Sequence, residues 1–202
     1  MMTSRAVIYA CSHRRGGNSD RAAQWLAAGV REAGGQADIL YVRDHEVRPC
    51  LACGYCDEPG GRRGRDLCVL GPGDAAWDLF EPLLTARAVL FASPIYFYHL
   101  PSMFKTWIDR SQQFWAARAE GAPWLTELPR RTARAVFLAG RPRGDKLFEG
   151  ATVTLKYFLH NFAMPLDEPL AFRGVDEPDD LTGRTEREAI TGLGRHAWEE
   201  AS

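Results

Sequence analysis

One feature limits the folds open to this chain more than any other: short apolar runs alternate with stretches of helical periodicity, five times over. Residues 5–11 (RAVIYAC), 37–42 (ADILYV), 87–92 (RAVLFA, breaking at Ser93-Pro94), 133–139 (ARAVFLA) and, more weakly, 166–172 read as strands. After each comes a segment with helical spacing of apolar residues: 20–33, 74–86, 101–116, 146–163 and 181–200. The first of these repeats Ala22, Ala23, Leu26, Ala27 and Val30, with Asn18 or Ser19 as its N-cap and Gly34-Gly35 as its stop. Pro101 suits the first turn of the third. Parallel strands need crossovers, which helices supply, and strands apolar along their whole length need cover on both faces. The pattern therefore specifies an α/β fold, a parallel sheet between two layers of helices.

At 202 residues the chain can bury one full core and would be cramped as two, so a single domain over 1–202 is expected. The exception to regularity is 44–73, an irregular stretch too long for an ordinary connection and expected to be a functional insertion loop or disordered. A net charge of −1 offers no bulk attraction to nucleic acid or to acidic lipid. No run reaches the roughly 18 apolar residues a membrane span requires. The opening residues lead straight into the first strand without a signal-like apolar region, so a cytoplasmic protein is expected.

In an open parallel sheet, ligands bind beyond the carboxyl ends of the strands, where the strand order reverses. The first such loop here is Ser12-His13-Arg14-Arg15-Gly16-Gly17-Asn18-Ser19. It offers hydroxyls, an amide and guanidinium groups just before a helix whose unpaired N–H groups and dipole favour an anion. Its glycines let the backbone come close to a phosphate, although the same composition also makes an ordinary solvated turn. No Gly-Lys-Ser/Thr follows, so this is not a Walker loop, and the spacing is not GxGxxG.

This loop resembles the phosphate loop of the NADPH-dependent FMN reductase family, approximately G-S-P-R-x-x-G-N-T. Ser12, Arg14, Gly17, Asn18 and Ser19 match in register, while Cys11 and His13 stand where the family has Gly and Pro. A second family signature, S-P-x-Y followed by a helix ending K-x-x-I-D-R, is similar to Ser93-Pro94-Ile95-Tyr96 and Lys105 to Arg110. The resemblance runs from the start of the chain to about residue 170. It implies a flavodoxin-like three-layer sandwich with strand order 2-1-3-4-5, FMN as cofactor and NAD(P)H as electron donor. It also implies cofactor-binding residues: Ser12, His13, Arg14, Gly17, Asn18 and Ser19 for the phosphate, and Pro94, Ile95, Tyr96 and Phe97 for the flavin ring. Gly140 and Arg141 stand where the family often lines the outer side of the flavin. The chemistry of the second loop agrees: a flat ring, apolar on its faces and polar along one edge, needs backbone groups at the edge and apolar side chains against a face. Phe97 and Tyr98 suit a core or a subunit interface almost as well.

Five cysteines are present, and an odd count without a secretion signal argues against a disulfide framework. Cys11 ends the first strand. The others, Cys50-x2-Cys53-x2-Cys56 and then Cys68, resemble the cysteine motif of the iron–sulfur flavoprotein branch of the same family, as do Pro49 and Gly54 beside them. That resemblance implies a [4Fe–4S] cluster held by Cys50, Cys53, Cys56 and Cys68. The departure is the last gap of eleven residues, longer than the branch usually leaves. Reduced thiols without metal, and a structural zinc, remain open beside the cluster.

Two functions of different class follow. One is an oxidoreductase in which FMN carries electrons from NAD(P)H to a quinone, nitro compound or flavin, with no side chain acting as acid or base. The other is an electron-transfer iron–sulfur flavoprotein serving a redox protein; a module that has lost its cofactor is a third. The surplus of aromatic residues over 96–115 points to a homodimer or homotetramer.

Overall fold

The computed structural model describes residues 3–58 and 60–201; Met1, Met2, Pro59 and Ser202 lie outside the description. Five strands, β1 (Thr3–Ala10), β2 (Gln36–Tyr41), β3 (Ala86–Pro94), β4 (Ala133–Ala139) and β5 (Leu170–Arg173), form one parallel sheet in the order β2-β1-β3-β4-β5. The alternation of strand and helix thus produces the expected architecture. The helices are α1 (Asn18–Glu32), α2 (Ala76–Thr85), α3 (Ser102–Asp109), α4 (Gln112–Ala119), α5 (Pro123–Thr126), α6 (Glu149–His160) and α7 (Arg184–Glu200). Among the described residues no helix is long and apolar enough to cross a membrane.

The period of two along each strand sends side chains to two chemically distinct faces. Val7, Tyr9 and Cys11, with Phe91 and Phe137, meet the aromatic layer of Phe80, Phe104, Trp107, Phe114, Phe158 and Phe162. Tyr9 stacks between Phe91 (5.1 Å) and Trp107 (5.0 Å), and its hydroxyl donates to the Leu79 carbonyl at 2.8 Å. Ala6, Ile8 and Ala10 meet the small apolar face of α1 and α7. There the helices touch backbone to backbone. A Cβ on Gly29 would lie 1.9 Å from the Thr191 carbonyl oxygen, and one on Gly194 would lie 2.2 Å from that of Leu26. Only glycine permits that crossing.

Several expected boundaries move. The N-cap of α1 is Gly17, with no side-chain cap bond, and Asn18 and Ser19 are already helical. Gly34-Gly35 does end α1, through Gly35 N–H to Val30 O at 2.9 Å. Pro101 is the N-cap of α3 rather than a residue of its first turn. The expected helix 101–116 is two helices, broken at Arg110-Ser111, and α5 follows unanticipated. Strand β5 shrinks to four residues because Leu166 makes only an isolated bridge to Ala133. Of the aromatic surplus over 96–115, Phe104, Trp107 and Phe114 are core; Phe97 is fully exposed and Trp115 largely so.

Candidate functional site

The carboxyl ends of β1, β3, β4 and β5 open onto a cavity of about 610 Å³. Four loops wall it. The first gives Ser12, Arg14, Gly17, Asn18 and Ser19, and the second gives Pro94 to Tyr98. The third gives Gly140, Arg141 and Pro142, and the loop after β5 gives Val175 and Asp176. All the residues singled out for cofactor binding line it except His13. That ring instead accepts the Met103 N–H at 3.3 Å and lies 3.4 Å from Ser102 Oγ, at the start of α3.

The first loop is held in place from inside. Gly16 has a left-handed φ of 67°, and its N–H donates to Asp20 Oδ2 at 2.8 Å. Arg14 N–H donates to Ser12 Oγ at 3.1 Å, which turns the loop back on itself. Asp20 is buried and takes a two-pronged bond from Arg43, both contacts at 2.8 Å. The same guanidinium donates to the carbonyls of Ser12 and Arg14, each at 3.2 Å. Hydrogen bonding to Asp20 raises the Arg43 pKa above its already high ordinary value, so the guanidinium stays charged. Arg43 therefore ties the end of β2 to the loop after β1. Neither Arg43 nor Asp20 was singled out from the sequence; only their places, just after β2 and in the first turn of α1, could have hinted at it.

The donors of this loop are unequally free. The Asn18 amide is committed to the loop after β5: its Nδ2 donates to Glu177 O at 2.7 Å and its Oδ1 accepts the Leu181 N–H at 3.3 Å. Arg14 holds the Asp176 carbonyl at 3.1 Å through one of its nitrogens. The Ser12 and Ser19 hydroxyls and the first N–H groups of α1, which lack intrahelical acceptors, remain as donors into the cavity.

The second loop is a tight hairpin. Tyr96 and His99 exchange both backbone bonds at 2.9 Å, and Phe97 and Tyr98 at its tip have left-handed φ of 49° and 64°. Such turns favour Asn-Gly, and bulky residues there cost of order 1–3 kcal/mol each. The strain fixes where the tip stands. Ile95 N–H is spent on Leu138 O at 2.8 Å and Tyr96 N–H on His99, so the donors left to a ligand are the N–H groups of Phe97 and Tyr98. Arg141 packs over the Tyr98 ring at 5.5 Å, and Gly140 comes so close to Asp176 that a Cβ would sit 3.0 Å from its carboxyl carbon. Tyr98 and Asp176 are wall residues that sequence reasoning left out of the site.

The cysteine loop lies apart. Its ends meet at Asp74, a buried carboxylate that accepts from Arg110 Nη1, from Arg48 N–H at 3.0 Å and, through its other oxygen, from Ala76 N–H at 3.1 Å. Burial pushes the Asp74 carboxyl up, but the hydrogen bonds, Arg110 foremost, outweigh it and hold it below the usual carboxylate range. Arg110, the last residue of the second signature, also donates to Arg48 O at 3.0 Å and so closes the loop. Cys50 and Cys53 are exposed, and Cys56 and Cys68 half-buried. Among the described residues no group of three or more His, Cys, Asp or Glu side chains is gathered as a metal site. Cys11 is separate, buried in the aromatic face, where burial pushes its thiol pKa up.

A five-stranded parallel sheet in this order, with a phosphate-type loop after its first strand, defines the flavodoxin-like class. Solved structures agree on the fold. A flavone reductase superposes with a TM-score of 0.70 at 13% identity, covering 98% of this chain and 62% of that one. An NAD(P)H:quinone oxidoreductase from Methanothermobacter marburgensis gives 0.64 at 18% identity, covering 97% and 94%. Residues 4–126 match the model of the NADPH-dependent FMN reductase family, and the chain belongs to that family. The chain is similar to an iron-sulfur flavoprotein of Methanosarcina thermophila, 30% identical over 100 residues (50% of this chain, 48% of that protein). It is similar also to one of Archaeoglobus fulgidus, 27% identical over 90 residues (43% and 39%). The chain spans half or less of the length of these relatives.

Proposed function

We propose that the cavity binds FMN and that the chain is an FMN-dependent oxidoreductase, drawing electrons from NAD(P)H and passing them to a quinone, nitro compound or flavin. The observation that carries this reading is convergence: loops 12–19, 94–98 and 140–142, far apart in sequence, wall one cavity. Its volume is that of a cofactor site, and its lining includes anion donors, Ser12, Arg14 and Ser19, as well as the apolar Pro94, Ile95 and Leu138. Bound FMN would supply the hydride acceptance and electron transfer. This chain's residues would bind and orient it. The start of α1, with Ser12, Ser19 and Arg14, would hold the phosphate; Phe97 and Tyr98 N–H would meet the polar edge of the ring. Pro94, Ile95 and Leu138 would keep water from its face. No side chain is required as acid or base.

The test is a comparison of ligands. FMN should bind far more tightly than riboflavin, which lacks the phosphate. Replacing Ser12 and Ser19 by Ala should weaken FMN by about 1.5–3 kcal/mol per lost bond and leave riboflavin unchanged. Equal affinities for the two flavins in wild type would refute the phosphate site. NAD(P)H should bleach the yellow flavin.

A second reading, an iron–sulfur flavoprotein acting in electron transfer, is favoured by the names of the relatives together with the Cys50-x2-Cys53-x2-Cys56 run. Anaerobically purified protein should then be brown, with about four irons per chain; a yellow, iron-free protein would leave the first reading alone. Both readings go with a cytoplasmic protein, where NAD(P)H is available, and with a homodimer or homotetramer using exposed aromatics such as Trp115.

A further inference from the structure

We propose that a second cavity, at the opposite edge of the sheet, is a binding site for a small organic anion with an apolar body. It has a volume of about 420 Å³, within the range of small-molecule sites. It is lined by Arg130, just before β4, and by Pro165 and Leu166, which precede β5; Gly140, on the wall of the first cavity, follows β4. The seven residues of β4 separate the two by roughly 20 Å at the usual rise per strand residue. It is a different site from the first.

Four cationic or ionisable basic side chains from three parts of the chain converge there: Arg118 from α4, Arg130, and Lys156 and His160 from α6. No carboxylate lines it. Several arginines elsewhere are paired with carboxylates, as in Arg5 with Asp38, Arg43 with Asp20, and Arg134 with Asp167 and Glu200. Among the described residues none of these four makes an ion pair, and one nitrogen of Arg118, Nη1, is buried without a hydrogen-bond partner. A buried guanidinium nitrogen left unpaired carries a cost; such nitrogens occur also at Arg43, Arg62, Arg110, Arg131 and Arg134, and the Arg118 one is set apart by lining a cavity among other cations. The carbonyl end of α6 favours Lys156 and His160 nearby, but Arg118 and Arg130 belong to other elements and gain nothing of that kind. Arg130, Lys156 and His160 are exposed around this Arg118 nitrogen, and an anion drawn to them would give it a partner.

The rest of the lining sets the shape of the ligand. Met164, Pro165 and Leu166 provide an apolar wall, and the Tyr157 ring stands largely exposed beside it. Inorganic phosphate would use the charges and waste that wall. An aromatic or branched aliphatic body bearing a carboxylate, sulfonate or phosphate ester uses both, and charge with apolar contact gives the selectivity.

Titration calorimetry with naphthalene-1-sulfonate, on protein saturated with FMN so that the first cavity is covered, tests this. One saturable site is expected, weakening with added salt. Inorganic sulfate and the uncharged 1-naphthalenemethanol should each bind at least about tenfold more weakly, since each keeps only half of the recognition. Arg118→Gln and Lys156→Gln, at positions that leave the core intact, should each weaken the sulfonate about tenfold with an unchanged circular dichroism spectrum. The proposal falls if wild type shows no saturable binding, if 1-naphthalenemethanol binds as well, or if neither variant changes the affinity. It falls too if the sulfonate fails to bind while Arg118→Gln shifts the sedimentation of the protein toward a smaller species, which would make the cluster a contact between copies of the chain.

Discussion

The loop after β1 and the loop after β2 are both irregular, and they are held in opposite ways. The first is tied through its interior: Arg43 bonds Asp20 and two loop carbonyls, and Gly16 and Arg14 close bonds within it. The second is anchored at its ends, where Asp74 joins Arg48 and Arg110, and inside it at Arg62, Arg65 and the buried Leu67, while its thiols stand partly or wholly in solvent. Interior ties fix a shape before any ligand arrives. Ties that bypass the thiols fix the position of a loop and leave the thiols to be organised by whatever binds them. Preorganisation of the first loop is what an anion site needs, because the ordering cost is then met by folding rather than by binding.

The largest effect should come from cutting the end tie. Arg110→Leu leaves the Asp74 carboxylate buried without its main partner, a loss of about 3–5 kcal/mol in urea denaturation. Its pH dependence has a definite sign. The wild-type carboxyl lies below the ordinary range, so its contribution is complete at neutral pH and is lost only as pH falls through that depressed value. In the variant, burial without Arg110 raises the carboxyl, and protonation relieves the penalty. The gap between the two proteins should therefore begin to narrow above the ordinary carboxylate range and keep narrowing as pH falls through it. A gap that stays constant down to pH 3 would show that Asp74 is not the group responsible.

Cutting the interior tie should cost less stability and more binding. Arg43→Leu strands Asp20, whose carboxylate still accepts the Gly16 N–H, so about 2–3 kcal/mol is expected. The loop carbonyls of Ser12 and Arg14 are released at the same time, and FMN affinity should fall at least about tenfold although Arg43 is not on the cavity wall. Arg110→Leu, far from that loop, should leave FMN affinity within about twofold. If the two variants affect FMN equally, the contrast between interior and end ties is wrong.

How far the sequence disclosed this arrangement depends on the range of each interaction. Strands β1, β3 and β4 were legible because they are apolar on both faces, so burial itself writes the pattern. Loops 12–19 and 93–98 were legible as candidates because each follows such a strand. The break at Arg110 was not: it coincides with a guanidinium drawn to Asp74, 36 residues earlier, and a local helical period carries no trace of that partner. Arg43 was hidden among many arginines for the same reason. Asn18 reads as a cap or phosphate ligand from its neighbours alone, yet its amide is claimed by Glu177 and Leu181, beyond any sequence window. Gly29 and Gly194 look like flaws in two helices until the helices are seen to cross there.

The smallest effect on stability should come from within the second loop, at Cys68. Its side chain is only half-buried and the ties that position the loop, at Arg48, Asp74 and Arg110, do not involve it. Exchanging sulfur for oxygen in Cys68→Ser leaves those ties intact, so denaturation should move by no more than about 0.5 kcal/mol in iron-free protein. The informative reading is iron. If the four thiolates act as one ligand set, loss of any one removes most of the metal, and the variant should retain far less than the roughly four irons per chain expected of reconstituted wild type. The eleven residues between Cys56 and Cys68 do not forbid this, because closing a longer loop adds little cost. Iron retained in full by Cys68→Ser would take Cys68 out of the set and point to a fourth ligand elsewhere. A large loss of stability in the iron-free variant would instead mean that the thiols are themselves among the ties of this loop, and the comparison with the first loop would fail.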